Sequence, residues 1–170
     1  MKWILVAISV VVLIAAVVVI IGALLPKAHV VSRKARFRQP PAAIWEVISG
    51  PPMWRADVRS FEELPDRDGH KVWREVDKHG QKIIFERVDF NPPVSMVTRI
   101  ADPKLPFGGS WSHQISPVDG GCTLTITESG EVYNPIFRFV SRFVIGHSAS
   151  IEKYLTALGT KFGEQVIIQE

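Results

Sequence analysis

Hydrophobic positions divide this chain into three parts with different periodicity. Residues 3–25 form an uncharged apolar run in which Ser9 is the only polar side chain. Residues 30–132 contain short alternating stretches separated by turn residues, a pattern typical of antiparallel strands. From Asn134 to Glu164, apolar side chains recur every three or four residues, which predicts a long amphipathic helix packed on one face of a sheet.

The middle of the chain predicts a meander, because its turn signals are closely and regularly spaced. The predicted strands are residues 30–37, 58–64, 70–77, 81–90, 94–101, 110–116 and 122–133. A short helix is predicted at 42–49, and a helical turn or bend at 52–57. The longer apolar loop Asp102–Gly109 is either the lip of a pocket or a loop packed on the core.

The predicted C-terminal helix lacks bulky residues from Gly146 to Ser150. This gap predicts a hinge at Gly146. The hinge would separate a first segment, residues 137–144 near the pocket mouth, from a second helix at 150–162 that the sheet grips.

The N-terminal run is long enough to cross a bilayer, since as a helix it would reach ~34 Å against a hydrocarbon thickness of ~30 Å. A cleaved signal peptide is less favoured, because its apolar core is usually ~7–15 residues long and is followed by a small-residue cleavage site. A buried core helix would show a polar stripe, which is absent from this run. We therefore expect a single-pass membrane anchor at residues 1–26 and a separate folded domain at 27–170.

Charge adds a membrane orientation and excludes one class of partner. Only Lys2 precedes the span, whereas five basic residues follow it, so the positive-inside tendency favours a cytoplasmic domain near anionic lipid headgroups. The net charge of +3 is too small to predict a nucleic-acid surface. Cys122 is the only cysteine, so an intrachain disulfide is excluded.

Four local motifs occur in this order of elements: Pro41–Ile48, Trp54–Val58, Leu105–Trp111 and Glu128–Pro135. On these residues, the segment from His29 to Glu164 resembles the superfamily of START-type lipid-transfer proteins, polyketide cyclases and plant pathogenesis-related ligand binders. The resemblance implies an α+β helix-grip fold, in which a curved antiparallel sheet wraps around the C-terminal helix and encloses an apolar cavity. It does not fix a ligand, because the superfamily includes carriers, sensors and enzymes.

Strand parity indicates which polar residues share the interior. Trp111 and His113 lie on one face of their predicted strand, and Glu128 lies on the apolar face of the next. The hairpin between these strands would bring Glu128 beside Trp111 or His113, so His113 and Glu128 are candidate acid and base catalysts. Alternatively, the two residues satisfy each other in the core, or a bulge near Ser129 turns Glu128 to solvent.

The candidate ligand-binding residues are the aromatic and polar side chains expected to face the cavity. They are Trp54, Trp73, Phe85, Phe107, Trp111, His113, Glu128, Phe143, His147 and Tyr154. For any one aromatic residue, an ordinary core position is the simpler interpretation. The remaining histidines, His29, His70 and His79, fall in predicted linkers or turns. Neither a metal nor another cofactor is expected, since no histidine pair has metal-ligand spacing and no phosphate-binding glycine loop precedes a helix.

Three functional hypotheses follow. The first is membrane-anchored binding or transfer of a lipid or another hydrophobic small molecule. The second is a cyclase or dehydratase-type enzyme that uses His113 and Glu128, and the third is a membrane-tethered interaction domain with a filled core. An internal cavity of ~300 Å³ or more would favour the first two.

Overall fold

The computed structural model describes residues 2–170 and begins with helix α1, Lys2–Leu24. Within these residues, α1 is the one helix long and apolar enough to cross a membrane, although a signal sequence near the N-terminus would meet the same criteria. Gly22 is its only buried residue. Because α1 is apolar on every side, it has no distinct stripe to pack against a core.

The rest of the chain forms one eight-stranded antiparallel sheet in the order β2-β3-β4-β5-β6-β7-β1-β8. The strands are β1 Ala28–Phe37, β2 Val58–Arg67, β3 His70–Asp77, β4 Lys82–Asn91, β5 Ser95–Ile100, β6 Phe107–Val118, β7 Gly121–Val132 and β8 Ile168–Gln169. From β2 to β7, each strand pairs with the next, which confirms the predicted meander. Strand β1 then pairs with β7, and β8 pairs with β1 over two residues.

Three helical elements accompany the sheet: α2 Pro41–Ser49, a 3₁₀ turn at Pro52–Trp54, and α4 Ala149–Lys161. Helix α4 buries the apolar stripe that the sequence predicts, and α2 buries the apolar residues predicted for the short helix. The core residues from these helices are Ile44, Trp45, Ile48, Ile151, Leu155 and Leu158, and those from the sheet include Ala35, Phe37, Met96, Ile115, Cys122, Leu124 and Ile126. This arrangement confirms the α+β helix-grip fold.

The C-terminal segment is not one helix. It consists of α3, Pro135–Val140, followed directly by a π-helical turn at Ser141–Ile145, and then by α4 after a break. Gly146 ends the first part with φ of 82° and ψ of 145°, a backbone conformation that residues other than glycine rarely adopt. The continuous helix predicted over Asn134–Glu164 is therefore wrong, whereas the predicted break at Gly146 is confirmed.

Helix α3 packs against the C-terminal end of α1 rather than at the pocket mouth. The carbonyl oxygen of Pro135 lies against Gly22 so closely that any side chain at residue 22 would collide with it. Nη1 of Arg138 donates a hydrogen bond of 2.8 Å to the carbonyl oxygen of Leu25, just beyond the last residue of α1. Asn134 begins α3 by accepting hydrogen bonds from the first free amides of the helix.

The first strand begins earlier than the alternating pattern indicates. The amide of Val132 donates to the carbonyl oxygen of Lys27 at 2.8 Å, so the pairing of β1 with β7 reaches almost to the end of α1. His29, which the sequence assigns to a linker, consequently lies within β1 opposite Gly130. His70 is the first residue of β3, whose bounds are those of the strand predicted at 70–77.

Candidate ligand cavity

A cavity of about 330 Å³ lies between the inner face of the sheet and α4. Its lining combines strands β4 to β7, the N-terminal half of α4 and the segment before β2. The lining residues are Arg55, Asp57, Phe85, Thr98, Trp111, His113, Ile126, Ser150, Ile151, Lys153 and Tyr154. At this level α4 presents Ser150 to the sheet, and a serine fills less space than the leucines that close the core farther along the helix.

Aromatic rings form the wall of the cavity. Phe85 lies between two tryptophans, with ring centroids 5.8 Å from Trp73 and 6.2 Å from Trp111. The ring of Tyr154 lies 5.2 Å from Trp54 and 5.5 Å from His113. Of the aromatic residues predicted to bind ligand, Phe85, Trp111 and Tyr154 line the cavity directly. Trp54 and Trp73 contact lining residues from behind.

One end of the cavity carries charged side chains that form ion pairs with one another. The Arg55 guanidinium lies 2.6 Å from an Asp57 carboxylate oxygen and 3.3 Å from a Glu75 carboxylate oxygen. Trp73 Nε1 donates to the other Glu75 oxygen at 2.9 Å. Burial raises the pKa of Glu75, even though Trp73 and Arg55 oppose this shift. Burial alone would lower the pKa of Arg55, but its two carboxylate partners outweigh that effect and raise it.

His113 provides a polar group within the apolar wall. Its side chain is buried, and Nδ1 has no hydrogen-bond partner among residues 2–170. Burial lowers the pKa of His113 to about 4, and the cations Arg55 and Arg87 act in the same direction. The imidazole is therefore neutral at physiological pH, and it can exchange a hydrogen bond with a polar atom of a bound molecule.

Glu128 lies on the inner face of β7, as strand parity predicts, and of its two predicted neighbours it contacts Trp111 rather than His113. Oε2 accepts hydrogen bonds from Trp111 Nε1 at 2.9 Å and from Ser150 Oγ at 2.7 Å. Oε1 lies 3.2 Å from Nε2 of His29. The strand register places Glu128 opposite Trp111 and places His113 opposite Ile126.

The predicted pairing of His113 with Glu128 therefore does not form, because the carboxylate is already occupied by three other side chains. The alternative of a bulge that turns Glu128 to solvent is also wrong, since β6 and β7 stay in register through Ser129 and Gly130.

His147 stacks on His29 with ring centroids 3.9 Å apart. Burial lowers the pKa of His147, and the neighbouring His29 adds to this shift. These two histidines and Glu128 form a polar group at the end of the sheet near α1.

Six of the ten predicted ligand-binding residues lie outside the cavity lining: Trp54, Trp73, Phe107, Glu128, Phe143 and His147. Phe107 begins β6 opposite Val132, at the end of the sheet near α1. Phe143 is 59% exposed and packs against Phe139 in the segment that follows α3. Sequence reasoning assigned Phe143 to the cavity by extending the stripe of α4 back across Gly146, where the chain changes direction.

The sequence prediction missed the charged end of the cavity, although its signal was present. Arg55 and Asp57 lie within one of the motifs that carry the family resemblance. A cation and an anion two residues apart, next to a tryptophan and just before a strand, could have indicated an ion pair. Glu75 carries no such signal, because its proximity to Arg55 depends on the pairing of β2 with β3.

Residues 28–163 match the family model described as polyketide cyclase / dehydrase and lipid transport. The chain belongs to this family. The match covers most of the chain and begins just after α1, and it confirms the family resemblance found in the sequence. No curated protein matches the sequence of this chain.

Solved structures of other proteins share the fold of this family member. The Zhui aromatase/cyclase from Streptomyces sp. R1128 has a TM-score of 0.63 and 17% identity, covering 78% of this chain and 93% of its own. Protein MLL2253 from Mesorhizobium loti has a TM-score of 0.61 and 12% identity, covering 79% and 97% respectively. Norcoclaurine synthase from Thalictrum flavum has a TM-score of 0.60 and 11% identity, covering 81% and 88%. At these identities, the similarity establishes the fold alone.

Proposed function

We propose that this protein is a membrane-anchored module that binds or transfers a hydrophobic small molecule or lipid in its internal cavity. The observation that carries the proposal is the cavity of about 330 Å³, which combines an aromatic wall with the buried imidazole of His113. Ligand sites typically enclose ~300–1,000 Å³ and pair apolar walls with a few polar groups. A module with a filled core would lack this space.

The cavity also restricts the chemical class of the ligand. Its volume lies at the low end of the range for small-molecule sites, which favours a single-chain or fused-ring molecule over a diacyl phospholipid. Its main cation, Arg55, is already paired with Asp57 and Glu75. At Arg55 an anionic headgroup would have to displace one of these carboxylates, so a neutral hydroxyl or carbonyl group is the better match there and beside His113. The other lining cation, Lys153, is exposed to solvent.

The proposed anchor is residues 1–26, with residues 27–170 as the ligand-binding domain. Two features support an uncleaved anchor. Helix α1 is apolar on every side and exposed, and its C-terminal end is held by hydrogen bonds from Arg138. Cleavage near residue 25 would remove the helix that α3 packs against. The basic residues that follow the span favour a cytoplasmic domain by the positive-inside tendency. One of them, Arg33, forms ion pairs with Glu152 and Glu170.

The test is ligand capture by residues 27–170, which contain every strand of the sheet and all helices except α1. Native mass spectrometry would compare the purified domain before and after exposure to a broad panel of lipids and isoprenoids. We expect a bound species of defined mass. Complete absence of a bound molecule across the panel would overturn the proposal.

A matched pair of variants distinguishes cavity binding from adsorption to the surface. Thr98 lines the cavity, and Val97 is its neighbour on β5 with a side chain on the opposite face of the sheet. We expect Thr98→Trp to abolish capture, because the indole fills the cavity, whereas Val97→Trp retains it. Equal capture by the two variants would place the ligand outside the cavity.

The anchor is tested separately by expressing the full chain and determining its N-terminal residue and its resistance to alkaline extraction from membranes. We expect an intact N-terminus and retention in the membrane. A mature chain that begins near residue 26 would identify residues 1–25 as a signal sequence and leave the cavity proposal unchanged.

The second candidate function is a cyclase or dehydratase-type reaction, and one observation favours it. The neutral imidazole of His113, whose ring lies 5.5 Å from that of Tyr154, forms part of the aromatic wall of the cavity. Such a group could move a proton of a bound carbonyl compound. If this occurs, His113→Phe will bind the captured molecule but will not convert it, and product formation is followed by mass spectrometry. Identical product formation by the wild type and the variant would refute this role.

A further inference from the structure

A second apolar surface lies beside α1, outside the cavity. We call it the apolar patch; it consists of Ile136, Phe137, Phe143, Val144 and Ile145, from α3 and the π-helical turn. Each of these side chains is between 50 and 72% exposed. A run of large apolar side chains at this exposure is unusual for a surface that faces only water.

The burial pattern of this segment is the reverse of that in a water-soluble surface helix. Arg138 is only 8% exposed, whereas Phe137 beside it is 54% exposed. Arg138 points towards α1, where its guanidinium contacts the carbonyl oxygens of Ala23 and Leu25 at 3.5 and 2.8 Å. The segment therefore uses Arg138 for an internal contact and presents its apolar residues outwards, together with the exposed Arg142.

The position of α1 identifies what covers the patch. Gly22 allows the backbone of Pro135 to lie directly against α1, within one helical turn of the end of the apolar run. If α1 spans a bilayer, this turn lies at the boundary between hydrocarbon and headgroups. The patch begins at the residue after Pro135, so it lies at the same depth, and the exposed cations Lys27 and Arg142 lie close to it in sequence.

We propose that the apolar patch inserts into the interfacial layer of the bilayer, beside the end of α1, so that the domain contacts the membrane at two points. This proposal rests on the membrane anchor proposed above. Apolar faces of this kind bury ~5–10 Å into the boundary between headgroups and acyl chains, and nearby basic residues favour anionic lipids. The lipid surface is the occupant, because it is already adjacent to the helix against which the patch packs.

The experiment uses the full chain in vesicles of phosphatidylcholine and phosphatidylglycerol, with a nitrobenzoxadiazole fluorophore attached to single introduced cysteines. The native Cys122 is fully buried, so exposed cysteines can be labelled selectively. The label is placed at Phe143 or Val144 in the patch, and at Val118 as an exposed control. Val118 ends the 12-residue strand β6, whose first residue lies near α1, so the control is ~37 Å away along the strand. A fourth label at Ile14 reports on α1.

We expect lipids with a shallow doxyl group to quench the patch labels by about half or more, and to leave the Val118 label unchanged. A water-exposed, unquenched patch label would overturn the inference. A blue-shifted but unquenched label would also overturn it, since a second copy or another protein would then cover the patch. The Ile14 label lies near the middle of α1 and is tested with lipids that carry a deep doxyl group. If these quench it while the shallow lipids leave the patch labels unquenched, the inference fails and the anchor stands.

Discussion

Replacing His113 with phenylalanine should make the folded domain markedly less sensitive to acid. The imidazole is buried among Trp111, Tyr154 and the inner face of the sheet, and burial lowers its pKa from 6.5 to about 4. The folded protein therefore keeps this histidine neutral at pH values where the unfolded chain protonates it. Phenylalanine preserves the ring and removes the titrating group.

The sign and size of the effect follow from proton linkage. Because the folded-state pKa is depressed, the unfolded state binds more protons below pH 6.5, and stability falls as the pH decreases towards 4. Each pKa unit corresponds to ~1.4 kcal/mol, so His113 should cost about 2 kcal/mol at pH 5 and about 3 kcal/mol at pH 4. Above pH 7 both states carry a neutral imidazole, and its titration contributes nothing.

The assay is urea unfolding of residues 27–170 at pH 7.5 and at pH 5, followed by tryptophan fluorescence. The loss of unfolding free energy between these two pH values should be about 2 kcal/mol smaller for His113→Phe than for the wild type. His79→Gln is the matched control, because His79 lies in the exposed turn between β3 and β4. Equal losses for wild type and His113→Phe would refute the assignment of a neutral buried imidazole.

Three further predictions concern the polar groups and the turns. Glu128→Ala should lower the unfolding free energy by about 3 kcal/mol, because it leaves three donors without an acceptor. Glu128→Gln should lower it by about half as much. Equal losses for the two variants in urea unfolding would contradict this. Gly146→Ala should lower the unfolding free energy by about 2 kcal/mol through backbone strain alone. Gly109→Ala should lower it by at least about 2 kcal/mol more, because the added Cβ would collide with the β7 backbone. Similar melting temperatures for the two variants would refute this difference. Arg55→Met should cost about 3 kcal/mol at pH 7.5, because Glu75 loses its buried partner. Part of the lost unfolding free energy should be recovered at pH 5. A loss that does not change with pH would contradict the pairing of Arg55 with Glu75.

The sheet and the main helix could be predicted from the sequence because their periodicities are local properties. Alternation along β7 places Leu124, Ile126 and Glu128 on one face whatever the neighbouring strand does, and all three are buried. The stripe of α4 likewise depends only on helical spacing. The break at Gly146 was predictable because small residues interrupt that stripe.

The contacts of Glu128 could not be predicted in the same way, because they depend on long-range register. His29 reaches the carboxylate from 99 positions away in the sequence, through the pairing of β1 with β7. His29 lies before the alternating stretch that predicts this strand, whereas in the structure β1 begins at Ala28, so its partner was not visible in the sequence. Phe143 was assigned to the cavity for a related reason: hydrophobicity alone does not distinguish a side chain that faces a protein core from one that lies in an exposed apolar patch.

The hydrogen bond between Val132 and Lys27 also limits how far the domain can move. Only Leu25 and Pro26 separate the last residue of α1 from this paired backbone, and Leu25 is itself held by Arg138. Two extended residues span ~7 Å, a small fraction of the length of one strand of the sheet. In the membrane-anchored protein that we propose, the cavity would stay at a fixed height and orientation above its own bilayer. It would therefore exchange ligand with that bilayer or with partners that approach it, and could not carry ligand across to a second membrane by swinging on a tether.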